Sequence, residues 1–106
     1  MGYQGGFLTE NLSGLTVGSK TLDPTFDADV KSYEVDTEDA TNTVSATAAN
    51  ANATVEIYLN GTLKKSGTGS ASESLTWTAN TDTVEVKVKY ISVTETYTIT
   101  VTHDGT

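Results

Sequence analysis

Cysteine is absent from the 106 residues, so neither a disulfide nor a thiolate-ligated metal holds this chain together. Arginine is absent too, and six lysines face fourteen acidic residues, for a net charge of −8. Without clustered cations a surface cannot neutralise a phosphate backbone, which excludes nucleic acid as a partner. Apolar runs last only a few residues, far short of the roughly 20 that cross a bilayer as a helix, and no membrane insertion is expected. Residues 1–8 show neither the basic start nor the apolar stretch of a secretion signal. The single histidine, His103, stands beside Asp104 in what reads as a fraying tail, where a base is not held still enough for proton transfer. No catalytic, cofactor-binding or metal-ligating set emerges, and the chain is read as a non-enzyme.

Threonine fills 21 positions and valine ten, a β-branched bias that favours pleated strands. Residues 83–90 alternate apolar with polar at a period of two, and residues 96–102 repeat the pattern. On strands Val84, Val86, Val88 and Tyr90 share one face, as do Tyr97, Ile99 and Val101; on a helix they would scatter. Residues 54–59 alternate likewise and run into Asn60-Gly61, the pair suited to a two-residue hairpin turn that needs positive φ twice. Weaker strands are expected at 12–17, 32–37, 43–48 and 74–78, with a Gly/Ser-rich loop over 66–73. About seven antiparallel strands at intervals of roughly ten residues predict an all-β, immunoglobulin-like sandwich. Residues 12–103 form the single domain of this reading, and 1–11, with three glycines, a flexible N-terminal arm.

Specific spacings sharpen the picture: Leu12-Ser13-Gly14-Leu15-Thr16-Val17, then Leu22, Pro24 and Phe26, then Tyr33-Glu34-Val35, and at the end Tyr97-Thr98-Ile99-Thr100-Val101. This set resembles the bacterial cadherin-like β-sandwich family over about residues 12–102. The resemblance implies a spacer or interaction module, of a kind found as repeats in bacterial surface proteins and in phage-associated structural proteins. Independently of it, Phe26 and Tyr33 are expected to plug one end of the sandwich. The connection Ile91-Ser92-Val93-Thr94 departs from the family's Asp-Gly turn, and the calcium motifs of true cadherin repeats are missing.

Candidate contact residues follow from parity and composition. Tyr58 has the opposite parity from Val55, Ile57 and Leu59 and so faces solvent, a platform for a glycan. Trp77 shares parity with Leu75 and belongs to the core. Ile91 and Val93 sit at a loop tip, and Tyr3, Phe7 and Leu8 lie on the arm, which could add a strand to a neighbour's sheet edge. Seven acids between Asp23 and Asp39 read as a solvated edge or, less simply, a cation site around Asp27 and Asp29. The function expected is a non-catalytic module that decorates or spaces a surface assembly through a protein partner. The expected setting is a phage virion; the alternatives are a repeat of a bacterial cell-surface or secreted adhesin, and a carbohydrate-binding module.

Overall fold

The computed structural model describes residues 11–103. Eight strands follow one another: β1 (Leu12–Val17), β2 (Ser32–Thr37), β3 (Thr41–Ala48), β4 (Thr54–Leu59), β5 (Thr62–Thr68), β6 (Ser70–Thr76), β7 (Thr81–Tyr90) and β8 (Val93–His103). They form a three-stranded sheet in the order β1-β3-β6 and a five-stranded sheet in the order β2-β8-β7-β4-β5. The period-two patterns become burial patterns: Val84, Val86 and Val88 of β7, Val55 and Ile57 of β4, and Ile99 and Val101 of β8 are fully buried between the layers. Filling that space with β-branched side chains is what the hydrophobic effect and the pleat both favour. Trp77 lies in the same core, just after β6.

Three expectations are corrected, two of them in the sheets and the third at His103. Not every pair is antiparallel: β2 runs parallel to β8, from Ser32 opposite Thr98 to Thr37 opposite His103. And residues 66–73 are not a loop. They are the end of β5 and the start of β6, which meet at Gly69, where the chain passes from one sheet to the other. The corner is sewn into both layers: the Gly69 N–H donates to the Ala53 carbonyl at 2.7 Å, and its carbonyl accepts from Ala48 N–H at 2.8 Å. Gly69 has φ of 81°, and a Cβ there would lie 2.9 Å from the Ala51 carbonyl; at Gly67 one would collide with the Ser70 carbonyl. Glycine composition reads as flexibility in a sequence, but here it marks close backbone approach.

The expected Asn60-Gly61 hairpin turn is present, with φ of 50° and 89°. Between β7 and β8 the turn is also two residues, Ile91-Ser92, with Tyr90 opposite Val93. Phe26 stacks on Tyr33 at a centroid distance of 6.0 Å and tilts against Tyr97 at 6.4 Å, closing one end of the sandwich as the sequence predicts. His103 is not in a fraying tail: it is the last residue of β8, and its N–H donates to the Asn80 carbonyl.

Candidate functional site

Three features of the surface are built from the core outward. One is the outer face of the five-stranded sheet. Alternation along β4 turns Glu56 and Tyr58 outward while Val55, Ile57 and Leu59 are buried. Tyr58 lies opposite Leu63 on β5 and opposite Glu85 on β7, so these side chains share the outer face. Tyr58 is half-buried rather than open, because Lys87 Nζ sits 5.7 Å from its ring centroid and its hydroxyl donates to Glu56 Oε1 at 2.9 Å. Glu56 in turn pairs with Lys89 at 2.9 Å. The Lys89 ammonium holds the Glu56 carboxyl below its ordinary range, and the bond to Glu56 pushes the Tyr58 phenol up. Leu63 is 48% exposed, an apolar neighbour of Tyr58 that alternation along β5 does not reveal, because a bulge at Lys64 breaks the pattern.

A second feature is the tip of the β7-β8 hairpin. Ile91 is 82% exposed and has φ of 57°, a backbone region that β-branched residues avoid, while Val93 is half-buried at the start of β8. The structure does not bring this tip together with Tyr58. Along β7 they are separated by the five residue steps from Glu85 to Tyr90, roughly 17 Å. Tyr3, Phe7 and Leu8 lie outside the described residues.

The third feature is a set of polar clamps at the two ends. At the end where the described chain begins, Tyr97 Oη accepts from Leu12 N–H at 3.0 Å and donates to the Ala28 carbonyl at 2.7 Å. Tyr33 Oη grips both backbone groups of Asp27. At the opposite end Trp77 Nε1 and Thr37 Oγ1 both donate to Asn42 Oδ1, whose amide nitrogen donates to Asp39, itself paired with Lys20. The bond from Asn42, then the Lys20 ammonium, hold the Asp39 carboxyl below its ordinary range. Asp82 is 1% exposed, a buried carboxylate that the sequence reading missed because it begins the alternation at residue 83, although Asp82 is in phase with Val84. Burial alone would raise its pKa, yet bonds from the Asn60 amide, Thr78 Oγ1 and N–H, and Ala79 N–H hold it below the ordinary value.

The acids between Asp23 and Asp39 do not converge. Asp27 Oδ1 accepts from Asp29 N–H, Glu34 and Asp36 point outward from β2, and Asp39 belongs to the clamp just described. Among the described residues no three His, Asp or Glu side chains gather as a metal site. A groove of about 610 Å³ beside β2, lined by Lys20, Leu22, Asp23, Thr25, Glu34 and Asp36, is open to solvent.

Two packed sheets with a filled interior define a β-sandwich of the immunoglobulin-like class. The family model of the cadherin-like beta sandwich domain matches residues 12–104, and the chain belongs to that family. Comparison with curated proteins and with solved structures finds no match. A cadherin-like sandwich is typically a non-enzymatic interaction or structural module.

Proposed function

We propose that this chain is a spacer and attachment module of a larger surface assembly, with a protein as its partner, and that the assembly is a phage virion. The observation that carries the spacer reading is where the chain enters and leaves. Leu12 starts β1 beside Ala48 at one end of the sandwich, with Asn11 accepting from Ala49 N–H. β8 ends at His103, beside Thr37 and Asn80, at the other. Such a module adds its length to whatever flanks it, and the apolar Ile91 tip offers a contact at the entry end. Quantitative mass spectrometry of purified virions tests the setting. Stoichiometric copies support it; recovery of the chain from a bacterial envelope instead supports an adhesin repeat.

A second reading rests on the outer face of the five-stranded sheet, where Leu63, Tyr58 and Glu85 form one row and Glu56 and Lys87 face each other in the next. With Lys87 swung off its face, the Tyr58 ring beside this carboxylate and cation suits a sugar ring with its apolar face down. Glycan-array binding lost in Tyr58→Ala would favour it; no binding by the wild-type chain would remove it.

A further inference from the structure

A two-sheet sandwich has four edges, and three of them here carry devices that discourage another strand from pairing. β1 is broken by a bulge between Leu12 and Gly14. β2 is capped by a reciprocal backbone bridge between Asp23 and Glu34 and bears Glu34 and Asp36. β5 has the bulge at Lys64 and two adjacent lysines, Lys64 and Lys65. β6 has none of these: it pairs with β3 in unbroken register over seven residues, with neither proline nor lysine.

The phase of its hydrogen bonds is fixed at both ends. Ala48 N–H donates to the Gly69 carbonyl, and Trp77 N–H donates to the Ala40 carbonyl. In an antiparallel ladder the bonded positions recur every second residue, so Ala71, Glu73 and Leu75 bond to β3, while Ser70, Ser72, Ser74 and Thr76 turn their backbone groups outward. All four of these residues are exposed. Charge points to what pairs there. Glu73 is the one charged residue in β1, β3 and β6, so this sheet is where two copies of a chain of net charge −8 approach with least repulsion.

We propose that β6 is a self-association edge: two copies pair β6 to β6 antiparallel about a twofold axis at Ser72. Centring on Ser72 matches outward-facing backbone groups with one another, Ser70 with Ser74 of the second copy and Ser72 with its own counterpart. It also sets Glu73 opposite Ala71 of the second copy. Centring on Glu73 would place two carboxylates face to face, which cross-strand pairing disfavours. The result is a continuous six-stranded sheet of the order β1-β3-β6-β6-β3-β1 with closed, isologous symmetry. A single strand pair buries less than the roughly 1,200 Å² of stable interfaces, so the dissociation constant is expected at about 0.1–1 mM. Modules crowded in an array, at effective concentrations of about that order, would associate while free ones would not. The inference deepens the interaction-module reading without depending on which assembly holds the module.

Sedimentation equilibrium of the full chain from about 10 µM to about 2 mM tests it, in low and high salt. Dimerisation that tightens with salt is expected, because screening removes the repulsion between acidic copies. Ser72→Lys and Ser72→Glu each set like charges on the twofold axis and should each weaken the dimer about tenfold or more, and an equal mixture of the two should restore it. Circular dichroism confirms that both variants fold. A wild-type chain that stays monomeric throughout overturns the proposal and leaves the spacer reading standing, as does dimerisation unchanged in Ser72→Lys. Loss of the dimer in Ser45→Lys but not in Ser72→Lys would place the contact on the sheet face and overturn it equally. A mixture of the two Ser72 variants that stays monomeric overturns the twofold register.

Discussion

At the scale of single residues, stability rests on polar groups that are buried and satisfied, because an unsatisfied one costs far more than a made bond gains. Asp82 shows this most fully. Its carboxylate ties the Asn60 turn to the loop that precedes β7. Asp82→Asn replaces an acceptor with a donor against two backbone N–H groups and is expected to cost about 1–3 kcal/mol in urea denaturation at neutral pH. The sign of the pH effect follows from a carboxyl held below its ordinary value in the fold. Its contribution is complete above the unfolded pKa of about 3.9 and is lost as pH falls through the lower folded value. The stability gap between wild type and Asp82→Asn should therefore narrow in acid; a gap independent of pH would refute the assignment. Tyr97→Phe leaves Leu12 N–H and the Ala28 carbonyl without the hydroxyl that joins them, for a comparable loss of about 1–3 kcal/mol in the same measurement.

At the scale of elements, the turns decide what alternation leaves open. Ile91 at φ of 57° is a strained choice, and Ile91→Gly should raise stability by about 0.5–1 kcal/mol, a Tm gain of roughly 2–8 °C by scanning calorimetry. If the tip is an attachment point, the same change weakens attachment while it stabilises the fold. Gly67→Ala should act in the opposite sense, since the added methyl runs into the Ser70 carbonyl and the corner must shift. The strands with one wet and one dry face were legible in the sequence: β4, β7 and β8 alternate cleanly, and Trp77 was placed in the core by its parity with Leu75. The β5-β6 corner was not legible, because every residue of β5 is exposed or nearly so and carries no period. The parallel partnership of β2 with β8 was hidden for another reason, since pairing partners far apart in sequence leave no mark on local alternation. At the surface, Tyr58 faced outward as its parity implied, but the lysine laid over its ring belongs to β7 and shows only in three dimensions.

At the scale of the whole molecule, the entry of the chain at one end and its exit at the other sets how the fold would bear load. β1 and β8 run in the same direction in different sheets, and β8 is hydrogen-bonded on both sides, to β7 over ten residue pairs and to β2 in parallel. Force applied through residues 11 and 103 pulls β8 along its length, so its ladder bonds are loaded together in shear. Force applied across the β7-β8 hairpin, between the two strands at residues 81 and 102, opens the same ladder one bond at a time. Because the chain has no cysteine, paired cysteines can be introduced at either set of positions as unique attachment handles. Single-molecule pulling is expected to show a markedly higher unfolding force in the end-to-end geometry than across the hairpin at the same loading rate. Equal forces in the two geometries would mean that β8 is not the mechanical clamp, and a spacer role would then have to rest on length alone.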